Sequence, residues 1–189
     1  MLKRIEGFGK YIAITGFRNV KLANVEELFS IVRKEINTTV EIQFFDAKFV
    51  ATWQHFYFAV LNASTAFKNK ENISKSLAME TMLYASAQRQ IRKAMKLLGI
   101  KSDTSEIAAL IIGEKLETVK SALSVISAHI NAHPDDTILE LSEEKMKAIQ
   151  KAFGISDVEL ETVTKRGEDL DEALKSLIIE RMALLSTQR

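Results

Sequence analysis

The stretch SEIAALIIGE, residues 105–114, decides the fold. Its centre, IAALIIG, is apolar without interruption, and polar residues bound it on both sides. Successive side chains of a strand point to opposite faces. An unbroken apolar strand must therefore be covered on both faces, as the middle of a sheet between helices is. The run is also far shorter than the roughly 20 residues needed to cross a membrane.

Working outward, YIAITGF (11–17) and TVEIQFF (39–45) read as further strands, being rich in β-branched and aromatic residues. TILEL (137–141) reads as a short fourth, and KFVAT (48–52) as the continuation of a sheet edge. GFGK (7–10) reads as a turn. Between these lie helical patterns. Val25, Leu28, Ile31, Val32 and Ile36 recur at helical spacing behind an Asn24 cap, with Glu26 and Glu27 in the first turn. Phe56, Ala59, Val60, Ala63 and Phe67 mark a helix over 52–67, and KNKENIS (68–74) a polar loop. Ser74 is placed to cap a helix carrying Leu77, Ala78, Met82 and Leu83, with a break or bend near Ser86. Ala87, Ile91, Ala94, Met95 and Leu98 then form an apolar stripe that Gly99 ends. Further helices are expected at 116–131, from Ser142 to Phe153 with a stop at Gly154, and at 170–185; residues 155–169 read as a linker. The order β-α-β-α-α-β-α-β-α-α implies a helix-rich mixed α/β (α+β) domain spanning 1–189, with a small central sheet surrounded by helices.

With no cysteine, thiol catalysis, disulfides and Cys-ligated metals are excluded. The match to SxxK at Ser142–Lys145 is better explained as a helix cap and first turn. His129 and His133 have the i,i+4 spacing of metal ligands, but Pro134 follows directly and no HExxH accompanies them. No Walker or GxGxxG phosphate loop is present, and carboxylates cluster only where helices start, as in EDLDE (168–172). These readings favour a protein with no catalytic residue, metal or cofactor. The absence of an apolar leader favours a cytoplasmic, soluble one with no membrane partner.

The net charge of +1 conceals an asymmetry. Residues 1–101 hold 16 Lys/Arg against 8 Asp/Glu, whereas 134–189 hold 8 against 13. The basic half peaks at YASAQRQIRKAMK (84–96), which contains no acid. On a continuous helix, Arg89, Arg92, Lys93 and Lys96 would share one face. Such a row is a plausible grip for phosphates, which Lys68 and Lys70 of the preceding loop could extend. The residues alone leave two readings open: a nucleic-acid surface, or a merely solvated basic face on a self-associating structural domain.

Residues 80–94, ETMLYASAQRQIRKA, resemble the signature of the small regulatory subunit of the KEOPS/EKC complex, the TPRKB-type (PRPK-binding protein) family. The resemblance rests on Glu80, Leu83, Ala85, Ser86, Gln88, Arg89, Gln90, Ile91, Ala94 and Gly99. FDAKFVATWQHFYFAV (45–60), with His55, and the closing helix are also similar, so the likeness covers most of the chain. It implies a small non-enzymatic α/β subunit that binds the complex's PRPK-type kinase/ATPase, and through it the rest of KEOPS. It also implies that the subunit holds the CCA acceptor end of tRNA for threonylcarbamoyladenosine modification. Arg89 lies within the motif and is the first candidate for the tRNA contact; Arg92, Lys93 and Lys96 follow it. Some relatives have lysines where this chain has Trp53 and Gln54, a loss that Lys68 or Lys70 would offset. Trp53, Tyr57 and Tyr84 are candidate stacking platforms. An apolar helical surface is implied for the kinase, with Met79, Met82, Leu83, Leu177, Ile178 and Met182 as candidates.

Overall fold

The computed structural model of the protein describes residues 1–21, 25–36, 38–130, 132–164, 167 and 169–187. The stretch IAALIIG is β4 of one antiparallel sheet, whose strands β1 (Leu2–Ile5), β2 (Lys10–Phe17), β3 (Val40–Asp46) and β4 (Ile107–Gly113) lie in the order β1-β2-β4-β3. Every residue of β4 is buried. The eight helices among the described residues are α1 (Val25–Glu35), α2 (Trp53–Asn69), α3 (Leu77–Ala85), α4 (Ile91–Leu98), α5 (Leu116–Ile130), α6 (Glu143–Phe153), α7 (Asp157–Thr164) and α8 (Leu170–Leu184).

Strand alternation sorts the core into two layers. Ile107, Ala109 and Ile111 of β4 pack with Leu28 and Val32 of α1 and with Val119, Ala122 and Ile126 of α5. Ala108, Leu110 and Ile112 face the other way, into a larger core filled by α2, α3, α4, α6 and α8. The result is the mixed α+β architecture that the continuous apolar run requires. Ser142 caps α6, its Oγ accepting from Lys145 N at 3.3 Å, and Gly154 closes that helix at φ +62°. The SxxK match is thus a cap, and the Lys145 ammonium donates to Ile138 O at 2.6 Å.

Several expectations are corrected. The chain has a strand ahead of Tyr11: Leu2–Ile5 pairs with β2 across a turn in which Gly7 and Gly9 adopt positive φ. Residues 137–141 form no strand. Asp135 accepts from Thr137 N at 3.0 Å and opens a 3-10 turn, Asp136–Leu139, while Pro134 makes a single bridge to Phe17. That turn packs so closely on β2 that a Cβ at Gly16 would run into Ile138 and the Asp135 carbonyl. KFVAT does not extend the sheet either, because Asp46 accepts from Lys48 N and starts a 3-10 turn over Ala47–Phe49. The supposed linker holds α7, opened by a reciprocal Ser156–Glu159 capping box. Ser76 rather than Ser74 caps α3, its Oγ accepting from Met79 N at 3.2 Å. Leu170, the first residue of the helix expected at 170–185, is exposed. The Asn24 cap lies outside the described residues.

Candidate nucleic-acid interface

The junction between α3 and α4 is a built feature. Its supports begin at the start of α3, where Glu41 Oε2, reaching from the edge strand β3, accepts from Ala78 N at 2.8 Å. Glu80, 1% exposed, turns back from the first turn and accepts from Ser74 N at 2.7 Å and Ile73 N at 3.0 Å. These bonds tie the loop ahead of α3 to the helix. At the other end, Ala87 N donates to Tyr84 O at 2.9 Å and Gln88 N to Leu83 O at 3.0 Å. This is the Schellman pattern, but the left-handed position, φ +50°, is taken by Ala87 rather than glycine. A left-handed alanine costs about 1 kcal/mol.

His55 holds the junction in place. Its Nδ1 accepts from Ala51 N at 3.3 Å, so the proton sits on Nε2, which donates to Ala85 O at 2.7 Å. Burial pushes the imidazole pKa down to about 4, opposed by the Ala85 bond. The unfolded chain takes up a proton near pH 6.5 and the folded chain only near 4. Stability conferred by neutral His55 is therefore complete above pH 6.5 and is lost as pH falls toward 4, by roughly 3 kcal/mol in all. Urea melts from pH 7 to pH 4 should show this loss. A His55→Gln variant should start less stable and show a visibly smaller acid loss; an unchanged loss would remove His55 as its source.

The basic residues do not form one row. Arg89 lies in the break, outside both helices, and its Nη1 reaches Leu185 O beyond α8 at 3.4 Å. Arg92, Lys93 and Lys96 are on α4 and exposed. The apolar stripe also breaks: Ala94 and Leu98 are buried, but Ile91 is 43% exposed, beside Arg92 and Lys93. Gly99 ends α4 at φ −71°, not in the left-handed region. It is glycine because a Cβ would collide with the Met95 carbonyl. Beside the break is a cleft of about 230 Å³ lined by Ser86, Ala87, Gln88, Ala152, Phe153, Arg181 and Leu184. Arg181 braces its wall by donating to Phe153 O and Gly154 O at 3.1 Å and pairing with Glu159 at 3.0 Å. Sequence reasoning singled out neither Ile91 as a surface residue nor Arg181.

Lys68 and Lys70 do not extend this surface. His55, in the first turn of α2, meets the end of α3, whereas Lys68 is 13 residues further along α2. At 1.5 Å per residue that is about 20 Å away. Tyr84 is buried and burial raises its pKa, so it offers no open ring. Of the six residues proposed to meet a kinase, Met82, Leu83, Leu177, Ile178 and Met182 are buried in the larger core and present no surface. Both α3 and α8 are packed by other helices on their apolar sides, which periodicity cannot distinguish from an open face. Met79 alone remains partly exposed, lining a groove of about 780 Å³ beside β3 with Phe29, Ile42 and Met95. His129 Nε2 meets Glu35 of α1 at 2.9 Å, while His133 lies past the end of α5.

The family model described as kinase binding protein CGI-121 matches residues 17–186. A relative from Methanocaldococcus jannaschii, named regulatory protein Cgi121, is 34% identical over 142 residues, which are 75% of this chain and 83% of the relative. The matched region runs from the end of β2 through α8 and contains Glu80, the Ala87 turn and the whole basic junction, so the chain belongs to the CGI-121 family of kinase-binding proteins.

Proposed function

We propose that the protein is a non-catalytic, cytoplasmic subunit of KEOPS that docks on the kinase/ATPase subunit, regulates it, and presents tRNA to the complex by its single-stranded CCA end for threonylcarbamoyladenosine modification. The family description and the relative's name support the kinase-binding and regulatory part. The observation that carries the tRNA part is the α3–α4 junction. Exposed Arg89, Arg92 and Lys93 surround a solvent-facing Ile91, next to a cleft near 230 Å³. Cations there neutralise phosphates, and the exposed aliphatic side chain gives an unstacked base something to pack against. A duplex end could use the cations but would leave Ile91 without a role.

The test pairs intact tRNA with the same tRNA lacking its terminal CCA, in binding assays at one stated salt concentration. Intact tRNA should bind at least tenfold more tightly, and the protein should co-purify with the kinase subunit. Equal binding of the two tRNAs would overturn the acceptor-end reading. It would favour general polyanion binding or, with no binding at all, the self-associating domain whose basic face is only solvated.

A further inference from the structure

A second surface, on the far side of α2, joins cations to aromatic rings. Lys3 of β1 sets its ammonium 4.7 Å from the centre of the Trp53 ring, and Lys68 places its own 5.9 Å from the Phe8 ring. Tyr57, one turn beyond Trp53, has its ring 6.1 Å from the indole. Lys3 meets the start of α2 and Phe8 its end, so the β1 hairpin and α2 run side by side. They form one strip about 22 Å long, the span of 15 helical residues. Lys3 and Lys68 are exposed, and Phe8, Trp53 and Tyr57 are half-buried. Among the described residues neither lysine has an ion-pair partner; each charge rests on a ring instead. Trp53 and His55 are two positions apart, about 200° around the helix at 3.6 residues per turn, so the strip faces away from the α3–α4 junction. Lys3 and Phe8 also precede residue 17, where the family match begins.

We propose that this strip is a second nucleic-acid surface, one that binds a short single-stranded segment of RNA. Phosphates pair with Lys3 and Lys68 at its two ends, and bases lie against Trp53 and Tyr57 between them. Sequence-tolerant single-strand binding needs this combination of backbone cations with flat side chains. A duplex, whose bases are stacked inside, would engage the lysines and leave the rings idle. An anionic membrane would favour protruding apolar side chains over rings already half-packed against the core. The proposal does not depend on the acceptor-end reading, because it uses neither Arg89 nor α4.

Trp53 is the chain's only tryptophan, so its fluorescence reports on the strip alone. Titrating the full chain with a short oligouridylate at low salt should quench it saturably, and raised salt should weaken the binding. The Lys3→Glu/Lys68→Glu double variant should bind at least tenfold more weakly, followed by anisotropy of a labelled oligouridylate as well as by quenching. Tyr57→Ala, which keeps both charges, should also weaken it. Arg89→Glu should leave the quenching of Trp53 by oligouridylate unchanged while impairing tRNA binding, which separates failure of one site from failure of the other. The proposal is overturned by absence of quenching, by an unchanged double variant, by an RNA duplex quenching as well as the single strand, or by anionic vesicles quenching where oligouridylate does not.

Discussion

Arg89→Glu is expected to weaken tRNA binding between about tenfold and a hundredfold, with the fold unchanged. Arg89 is exposed in the α3–α4 break, and its hydrogen bond to Leu185 O, at 3.4 Å, is long. Little stability therefore depends on it, and the urea midpoint should move by the equivalent of about 0.5 kcal/mol or less. A charge-assisted bond to a phosphate is worth about 1.5–3 kcal/mol, and a carboxylate in its place adds repulsion. Lys96→Glu, seven residues further on and near the far end of α4, should cost less, because Lys96 stands beyond Ile91 and Arg92 from the break. The two variants are to be compared by tRNA titration at several salt concentrations. Loss of one contact to a single strand should lower the salt slope by about 0.7. If Arg89→Glu binds tRNA as the parent does, or if Lys96→Glu is the more damaging of the two, the junction is not the acceptor-end site.

Glu80→Ala is expected to destabilise the protein by about 3 kcal/mol, the largest stability effect of any polar substitution near the junction. The carboxylate is buried and accepts backbone N–H groups from Ser74 and Ile73. Removing it leaves the buried Ser74 N–H without a partner and frees the loop whose position sets the start of α3. For a chain of this length the melting temperature should fall by roughly 6–12 °C. Glu80→Gln keeps the shape and one acceptor, so it should cost visibly less. Hydrogen exchange should show the first protection lost in residues 73–80. A Glu80→Ala variant within about 0.5 kcal/mol of the parent would mean that water replaces the carboxylate without cost. Glu80 belongs to the same sequence motif as Arg89, yet the two have opposite work: one fixes the backbone from inside, the other stands free outside.

That division was partly legible in the residues. The alternation-free run at 107–113 demanded a central strand, and the sheet has one. Ser142 and Gly154 marked both ends of α6 through local bonds that need no distant partner. The SDVE at 156–159 carried an equally local capping signal and could have revealed α7 inside the supposed linker. The strand expected at 137–141 failed for a related reason. A β-branched, apolar pentapeptide fits a sheet, but Asp135 ahead of it offers a side-chain bond that closes a turn first.

What the sequence by itself determined is everything set by short-range periodicity and capping: the central strand, most helices, the mixed architecture and the concentration of positive charge before Gly99. What only the tertiary structure decided is which side of each helix meets solvent. Met82, Ile178 and Ile91 all fall on apolar helical stripes, yet Met82 and Ile178 lie under neighbouring helices while Ile91 is exposed. Lys68 is near Arg89 in sequence and about 20 Å from the junction along α2. Arg89 left the helical row because Ala87 enters the left-handed region, a conformation alanine accepts only where surrounding bonds hold it. Burial depends on elements distant in sequence, and backbone strain on the bonds that compensate for it. Neither is encoded in the local pattern from which helices and strands can be read.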